Sequence, residues 1–313
     1  MIRLIKEADV RRLLPMPEAI RLVEDAWRQL AAGTAIHQPR RRLVLPTGAV
    51  LHQLAGAYGG YFGTKIYSTH VKHGAHFFVM LYDAATAAPL ALIEANHLGQ
   101  IRTGAASGVA TRHLARAGAR VLGVSGSGFQ ARTQVEAVRA VSGISEVRVW
   151  SRDGARRAAF AAEIGAEAVA TAEQAVRGAD IVVTATFAKD PVLASDWVAE
   201  GAHINAMGSN NPARRELPPE LVARAGLIAV DALDQARIES GDLLLAWTEQ
   251  DWQSPRVCEM KDVVTGARGR QSEAEITLFK SNGLGLQDVA VAGYVYEQAL
   301  ASGAAVALDA VTL

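Results

Sequence analysis

Three cationic side chains stand at positions where a strand or helix would not ordinarily hold a charge. Arg41 belongs to an arginine run before a predicted strand, Lys65 lies inside an otherwise apolar segment, and Arg102 opens a small-residue helix. A lysine in such a strand can protect a sheet edge. An arginine at a helix start adds charge to an already positive end, which a bound anion would relieve. The pattern therefore favours a site for the carboxylate of a small molecule.

A glycine-rich turn follows a predicted strand at residues 121–125 and precedes a predicted helix. It reads Gly126-Ser-Gly128-Phe-Gln-Ala131. Gly126 permits a tight turn, Gly128 leaves room for a pyrophosphate beside the backbone, and Ala131 allows the helix to pack closely on the strand. The start of the helix offers unpaired N–H groups and a positive dipole end to the phosphates. Because further strand candidates follow at doubly wound spacing, we expect a dinucleotide-binding site here.

The end of the second predicted strand of this region bears on which dinucleotide binds. An acidic side chain there accepts a hydrogen bond from the ribose 2′-OH, whereas an arginine accommodates a 2′-phosphate. Ser151 stands at the usual acidic position and is followed by Arg152 and Asp153. This arrangement favours NADPH over NADH. The alternative is that Arg152 is a solvated loop cation, with Asp153 capping the next helix or binding the ribose.

A carboxylate closes a buried segment further along the chain, where Leu227-Ile-Ala-Val-Asp231 reads as a strand that ends in an aspartate. The carboxyl ends of strands face the ligand crevice in an open α/β sheet, so we expect Asp231 on the coenzyme side. There it can act as a general acid or base. Its alternative role is to cap a helix N-terminus.

Two kinds of pattern must position these groups. Apolar residues at helical spacing predict a helix over 18–30, and short apolar runs separated by Gly and Pro between residues 42 and 93 predict antiparallel strands. From Ala119 strands and helices alternate, which predicts a parallel sheet covered on both faces. The predicted strands of that part are residues 121–125, 147–150, 181–185, 203–207, 227–230 and 275–280, followed by a long helix over about 286–300.

The composition is typical of a globular protein. Of the 313 residues, 50% are apolar and only 20% are charged, which excludes the pattern of a disordered chain. Basic and acidic residues both number 32, so nothing points to nucleic acid as a partner. Cys258 is the only cysteine, which excludes an internal disulfide and a thiolate zinc site. With no export signal and no apolar run of about 18 residues, we expect a cytoplasmic protein that does not bind membranes.

These motifs together resemble the ornithine cyclodeaminase and mu-crystallin family nearly from end to end. The segments that carry the resemblance are Gln38-Pro-Arg-Arg41, Gly63-Thr-Lys65, Ile101-Arg102-Thr-Gly-Ala, Gly126-Ser-Gly-Phe-Gln-Ala131, Val230-Asp231, Glu239-Ser-Gly-Asp242-Leu and Ile276-Thr-Leu-Phe-Lys280-Ser-Asn-Gly. The resemblance implies an α/β fold in which a Rossmann doubly wound parallel sheet is inserted in a second, α+β domain. That second domain, 1–116 plus 288–313, would bind substrate and form a dimer, and 117–287 would bind the dinucleotide.

The resemblance also implies roles for individual residues. Arg41, Lys65 and Arg102 should hold the α-carboxylate of the substrate, and Asp231 and Lys65 should be catalytic, with Asp231 as the acid or base near the substrate nitrogen. The residues expected to bind NADPH or NADH are Gly126, Ser127, Gly128, Phe129, Gln130, Ser151, Arg152, Thr186, Met207, Gly208, Asp231, Ser281, Asn282 and Gly283.

The family includes cyclodeaminases, alanine dehydrogenases and reductases of ketimines or cyclic imino acids. Its ornithine enzymes carry a Glu-Met-Pro-like segment in the strand before the lysine, whereas residues 50–57 here contain no carboxylate. This departure favours an NAD(P)H-dependent oxidoreductase that reduces the C=N bond of a small α-imino acid. Δ1-Pyrroline-2-carboxylate, Δ1-piperideine-2-carboxylate and the linear iminosuccinate are the candidate substrates. An ornithine cyclodeaminase, an alanine dehydrogenase-like reductive amination and a non-catalytic small-ligand binder remain the alternatives, and a homodimer is the family expectation.

Histidines suggest two further features. His52, near Arg40 and Arg42, is a candidate substrate-binding residue for a second carboxylate, or else makes an ordinary hydrogen bond between strands. The segment 67–76 contains three more histidines at a spacing of three, which can converge on a helix but not in a predicted strand and loop. We therefore expect no metal site there.

Overall fold

In the computed structural model, residues 2–308 are described, and the chain forms two compact units. The first unit comprises the residues up to Arg102 and those from Gly283 onward, and the second runs from Thr103 to Asn282. Along the chain, the second unit is therefore inserted in the first. The changes of unit come at 102/103 and 282/283, rather than at the boundaries 116/117 and 287/288 that the resemblance implies.

Both units combine strands and helices. The strands are β1 (Arg3–Ile5), β2 (Ile36–Val44), β3 (Val50–Tyr58), β4 (Tyr61–His70), β5 (Gly74–Asp83), β6 (Pro89–Glu94), β7 (Val121–Ser125), β8 (Glu146–Trp150), β9 (Glu167–Ala168), β10 (Ile181–Thr184), β11 (His203–Ala206), β12 (Leu227–Val230), β13 (Val257–Glu259), β14 (Thr277–Lys280) and β15 (Val306–Ala307). The α-helices are α1 (Glu7–Leu13), α2 (Met16–Ala31), α3 (Asn96–Leu114), α4 (Phe129–Val141), α5 (Gly154–Ile164), α6 (Ala172–Val176), α7 (Pro219–Arg224), α8 (Leu233–Glu239), α9 (Gly241–Leu244), α10 (Met260–Val264) and α11 (Gly285–Ala301).

The first unit contains a seven-stranded sheet in the order β15-β1-β6-β5-β4-β3-β2. Strands β2 to β6 pair antiparallel with their neighbours in sequence, as the short apolar runs predict. Side chains alternate between the two faces of a strand, so Gly63, Lys65 and Tyr67 of β4 are buried while Phe62 and Ser68 are exposed. Lys65 therefore lies on the covered face of the sheet.

Helix α11 approaches this covered face closely. A Cβ on Gly56 of β3 would lie 2.6 Å from the backbone of Leu286, and one on Gly285 would lie 2.7 Å from the carbonyl oxygen of Ala55. Glycine at both positions is what permits backbone to meet backbone. The first turn of α11 is consequently packed against β3, beside the strand that carries Lys65.

The second unit contains an eight-stranded sheet in the order β13-β12-β14-β11-β10-β7-β8-β9, and all of its strands are parallel. From β9 to β11 the order is that of a Rossmann sheet, with the reversal between β7 and β10. Every residue of β10, β11, β12 and β14 is buried, because helices cover a parallel sheet on both faces. The predicted fold class is confirmed. Sequence reasoning missed only the short strands β9 and β13 of this sheet.

Six neighbouring strands of this sheet end level with one another. Their last residues are register partners in turn, in the order Val230, Lys280, Ala206, Thr184, Ser125 and Trp150. We call the residues that follow these ends the carboxyl edge of the second sheet. Ligands of open α/β sheets bind at this edge, near the point where the strand order reverses. No helix within residues 2–308 is long and apolar enough to cross a membrane.

Candidate active site

A buried carboxylate joins two of the predicted substrate-binding cations in the first unit. Asp288 of α11 is fully buried, and its Oδ1 accepts hydrogen bonds from Lys65 Nζ at 3.1 Å and from Arg102 Nε at 2.9 Å. The side chains of Lys65 and Arg102 are only 5% and 8% exposed. Asp288 Oδ2 has no hydrogen-bond partner within residues 2–308. Two positive charges thus share one negative charge away from water, which leaves positive charge in excess.

A β-bulge decides which arginine joins them. The register of β2 against β3 shifts between Gln38 and Arg41, and such a shift exchanges the faces on which side chains lie. Arg40 is buried on the covered face, where its Nη1 donates to Tyr67 Oη at 2.8 Å. Arg41 is exposed and lines a depression of about 230 Å³ on the other face. The structure therefore corrects the placement of Arg41 with the other two cations, because Arg40 takes that position.

Gly283 keeps two of these cations close together. Its carbonyl oxygen accepts from Arg40 Nη2 at 3.4 Å, and its φ is +78°. A Cβ there would lie 2.3 Å from Arg102 Nη1. The position therefore requires glycine both for its backbone conformation and for space. We call Arg40, Lys65, Arg102 and their counter-ion Asp288 the cation cluster.

The environment of Lys65 changes its titration. Burial lowers the pKa of Lys65 to about 8, although Asp288 opposes this effect by favouring the charged form. Repulsion from Arg102 and Arg40 lowers the pKa further. The ammonium form still predominates at neutral pH, and a bound anion would stabilise it.

His52 lies on the same face of the sheet, stacked on Tyr67 with ring centroids 4.2 Å apart. Its Nε2 is 2.9 Å from Thr69 Oγ1, which is the ordinary hydrogen bond between strands that the sequence allows. Burial, followed by the charges of Arg42 and Arg40, lowers the pKa of His52 to about 4. Its Nδ1 has no hydrogen-bond partner among the described residues. His52 is therefore neutral near pH 7 and can offer a ligand a hydrogen bond but no charge.

The turn after β7 has the features that a dinucleotide needs. Gly126 has a φ of +124°, and a Cβ there would lie 2.4 Å from the carbonyl oxygen of Ala185, which follows β10. Gly128 is exposed, with no atom within 4 Å of the place of a Cβ, and it precedes α4 without any side-chain cap. Gln130 Oε1 is buried and has no hydrogen-bond partner in the described part of the chain. Open backbone and an uncapped helix start fit the diphosphate of NAD or NADP.

In the loop after β8, a serine stands at the position where an acidic side chain would hold a ribose 2′-OH. Ser151 occupies that position, and Ser127 Oγ donates to Ser151 Oγ at 2.9 Å. Arg152 is exposed. Asp153 caps α5 by accepting from the backbone N–H of Arg156 at 3.0 Å, which is the capping role considered above.

Asp231 follows β12 at the carboxyl edge and is only 1% exposed. Its Oδ2 accepts from the backbone N–H of Asn282 at 2.5 Å. The next helix, α8, has Ala232 at its N-cap, and the backbone N–H of Leu233 in its first turn donates to Glu259 Oε1 at 2.7 Å.

The remaining predicted coenzyme-binding residues also follow strand ends of the second sheet, except Phe129, which begins α4 and is 49% exposed. Thr186 follows β10, Met207 and Gly208 follow β11, and Ser281 follows β14. The structure thus brings every predicted coenzyme-binding residue of the second unit to the carboxyl edge or to the turn after β7.

Three residues have positions that the sequence does not predict. The sequence places Arg40 only near His52, and the bulge that separates the faces of Arg40 and Arg41 leaves no mark in it. Asp288 does leave a signal, because it is an acid in an otherwise apolar stretch of the final helix. Glu216 is a buried carboxylate that holds the loops after β10 and β11, yet it sits in a loop without periodicity.

Two of the three histidines of the β4–β5 hairpin lie side by side. His70 and His73 lie with ring centroids 4.6 Å apart, and His73 and His76 are exposed. Within residues 2–308, no group of three His, Cys, Asp or Glu side chains is arranged to hold a metal ion.

Comparison with known proteins finds relatives that cover most of this chain. A Δ1-pyrroline-2-carboxylate reductase of Bacillus cereus is 42% identical over 233 residues, which cover 72% of this chain and 71% of the relative. The structure of the Thermococcus litoralis Δ1-pyrroline-2-carboxylate reductase in complex with NADH and L-proline matches with a TM-score of 0.93 and 32% identity, covering 98% of this chain and 100% of that chain. An archaeal alanine dehydrogenase dimer with bound NAD matches with a TM-score of 0.91 and 34% identity, covering 96% and 97%.

The family comparison covers almost the whole chain. The model of the ornithine cyclodeaminase/mu-crystallin family matches residues 2–303. This match confirms the resemblance that the motifs carry. The protein therefore belongs to the ornithine cyclodeaminase/mu-crystallin family.

Proposed function

We propose that this protein is an NAD(P)H-dependent oxidoreductase that reduces the C=N bond of a small α-imino acid to the corresponding amino acid. The cation cluster carries the proposal, because Lys65 and Arg102 are buried and share the one carboxylate of Asp288, and an α-carboxylate neutralises the second positive charge. Similarity to the Bacillus and Thermococcus Δ1-pyrroline-2-carboxylate reductases supports the same class of reaction.

In this proposal, Arg40, Lys65 and Arg102 bind the α-carboxylate. The two guanidinium groups offer planar pairs of donors, which fix the orientation of a carboxylate better than a single ammonium does. Asp288 holds Lys65 and Arg102 from the protein side, so that both cations stay in place before the ligand arrives. The three cations therefore orient the substrate by its α-carboxylate end only.

Asp231 handles the proton at the substrate nitrogen. The coenzyme, when bound, supplies the hydride that the imine carbon takes up. The imine nitrogen first takes a proton through Asp231 and becomes an iminium, and as the C=N bond then becomes a single bond, its electron pair becomes the lone pair of the amine nitrogen. The same carboxylate stabilises the iminium cation before reduction. Its hydrogen bond from Asn282 N fixes the orientation of the carboxylate.

The turn after β7 and the carboxyl edge bind NADPH or NADH. Ser127 and Ser151 leave the 2′ position of the ribose without an anionic neighbour, and Arg152 stands next in the chain. A 2′-phosphate is therefore accommodated, and we propose a preference for NADPH.

Reductive amination of an α-keto acid is the second candidate, because an alanine dehydrogenase is among the most similar structures. Ornithine cyclodeamination is less well supported. The buried positions His52, Leu54 and Gly56 of β3 place no carboxylate on the covered face to receive a distal ammonium group.

We further propose that the protein acts as a homodimer. The archaeal relative is a dimer, and the face of the first sheet opposite Lys65 exposes the aromatic side chains of Phe62 and Phe78. Light scattering behind a gel-filtration column should give twice the chain mass of 33.2 kDa, and a monomer mass would refute this part.

A panel of substrates tests the reaction. Preformed Δ1-pyrroline-2-carboxylate, Δ1-piperideine-2-carboxylate and iminosuccinate, and α-keto acids with ammonia, are each offered with NADPH and with NADH. Oxidation of the coenzyme that depends on an imino acid supports the proposal. Ammonia released from ornithine without net oxidation would favour the cyclodeaminase instead, and coenzyme binding without any turnover would favour a binding protein.

The role of Asp231 has its own test. Asp231→Asn should lower kcat by about 100-fold or more, the range for loss of a general acid or base, while the Kd for the coenzyme stays close to that of the wild type. Turnover at a near-normal rate would remove Asp231 from the mechanism.

A further inference from the structure

Glu216 is a fully buried carboxylate in the loop that follows β11. Its Oε1 accepts from both the backbone N–H and the hydroxyl of Thr186 at 2.7 Å. Its Oε2 accepts from Thr184 Oγ1 and from the backbone N–H of Gly208, both at 2.8 Å. One carboxylate therefore ties the loop after β10 to the loop after β11.

Two further buried charges hold Glu216 in place. Asp242 Oδ1 accepts from the backbone N–H groups of Glu216 and Leu217 at 2.6 and 2.9 Å. Lys280 Nζ lies 2.9 Å from Asp242 Oδ2 and donates to the carbonyl oxygen of Ser209 at 2.6 Å. All three charged side chains are fully buried in the second unit. The loop after β11 is thus held at two places, at Ser209 near its start and at Glu216 and Leu217 near its end.

The contacts of Glu216 reach the turn that is suited to phosphate. Thr186, which Glu216 holds, directly follows Ala185, and a Cβ on Gly126 would lie 2.4 Å from the carbonyl oxygen of Ala185. At Gly208, a Cβ would lie 2.4 Å from Glu216 Oε1 and from the backbone of Thr186. The backbone segments around Gly126, Thr186 and Gly208 are therefore in close contact. They lie beside the point where the strand order reverses, between β7 and β10.

We propose that Glu216, fixed by Asp242 and Lys280, is a positioning residue for the pyridine nucleotide. Its carboxylate sets the separation between the turn after β7 and the loops after β10 and β11, so that the coenzyme meets backbone groups already in place. Glu216 itself does not touch the substrate in this account. The inference rests on the proposed function, since it requires that a coenzyme binds along the carboxyl edge.

The variant Glu216→Gln tests the proposal, because an amide keeps the size of the side chain but cannot accept at both ends. The Kd of the purified protein for NADPH, measured by calorimetric titration without substrate, should rise about tenfold, the scale of a displaced binding geometry. KM for NADPH should rise in parallel, whereas kcat at saturating coenzyme and KM for the imino acid should change less than about threefold.

Asp180→Asn is the matched control. Asp180 also accepts two backbone N–H bonds, from Arg120 at 2.7 Å and Val121 at 3.0 Å, but it lies at the opposite ends of β7 and β10. This control should lower the melting temperature and leave the Kd for NADPH unchanged. If Glu216→Gln does not fold, Thr184→Val removes one of the donors to the carboxylate at nearly constant volume and should weaken NADPH binding a few-fold, about two- to fivefold.

The outcomes separate the two proposals. If the wild type binds no nicotinamide coenzyme, the proposed function fails. If the wild type binds NADPH, and Glu216→Gln, or Thr184→Val in its place, binds it equally well, only the role of Glu216 is overturned. A lower melting temperature with unchanged Kd and KM would likewise show that Glu216 is structural and nothing more.

Discussion

The two buried charge clusters of this protein have opposite compositions. In the first unit, Lys65 and Arg102 share the single carboxylate of Asp288. In the second unit, Lys280 pairs with Asp242, and its charge also acts on a second carboxylate, Glu216. The two carboxylates accept hydrogen bonds from backbone N–H groups and hydroxyls of neighbouring loops.

The two clusters offset the cost of buried charge in different ways. Buried charge is costly unless it is paired or hydrogen-bonded. The carboxylate-rich cluster meets that condition with the chain's own groups and so builds a frame. In the cation-rich cluster, Lys65 and Arg102 share one carboxylate, Asp288, and in the proposed function the carboxylate of the substrate supplies the second negative charge. Substitutions in the two clusters test this difference.

Each cluster has one charge whose sign is in the minority, Asp288 in the first unit and Lys280 in the second. Removing that charge should have the largest effect. Asp288→Ala leaves two cations, and Lys280→Ala leaves two carboxylates, without their buried partner. Each should lower the free energy of unfolding by about 3–5 kcal/mol, measured by urea denaturation. The control is Glu163→Ala, which breaks the exposed pair with Arg132 and should cost no more than about 1 kcal/mol. If Asp288→Ala and Lys280→Ala lost no more stability than Glu163→Ala does, the two minority charges would not be essential for stability.

The two adjacent arginines of β2 allow a sharper test. Arg40→Gln removes a buried cation beside the proposed carboxylate site and should raise KM for the imino acid by about 10- to 100-fold, the worth of a charged hydrogen bond. Arg41→Gln changes an exposed side chain on the other face and should leave KM near the wild-type value. Equal effects of the two substitutions would contradict the assignment that the bulge produces.

The pH dependence should distinguish the two clusters. In the proposed function the protonated form of Lys65 binds the carboxylate, so kcat/KM for the imino acid should fall as the pH rises through about 8, the pKa to which burial lowers this lysine. In Lys65→Arg the group stays charged, so this limb of the profile should disappear. The Kd for NADPH should not follow the same limb. If the fall in kcat/KM persisted in Lys65→Arg, the titration of another group would be responsible for it.

The smallest effect is expected at the exposed Arg152. Arg152→Ala should raise KM for NADPH by about two- to fivefold, since exposed charges contribute up to about 1 kcal/mol, and should leave KM for NADH unchanged. Equal changes for both coenzymes would mean that Arg152 does not meet the 2′-phosphate.

Much of this organisation is predictable from sequence because its signals are local. The strand at 227–230 and the glycines of the turn after β7 are recognisable from neighbours within a few residues. The face on which Arg40 lies is not, since one extra residue in a strand reverses the alternation. The partners of Asp288 and Glu216 are also hidden, because Asp288 meets a lysine 223 positions away and Glu216 meets a threonine 32 positions away.

The two turn glycines carry different kinds of constraint. A methyl group at position 126 would strike the carbonyl oxygen of Ala185, whereas one at 128 would meet no atom of residues 2–308 within 4 Å. Folding therefore demands the earlier glycine, and in the proposed function only the nucleotide demands the later one. Gly128→Ala should accordingly preserve the fold while it crowds the diphosphate of the coenzyme.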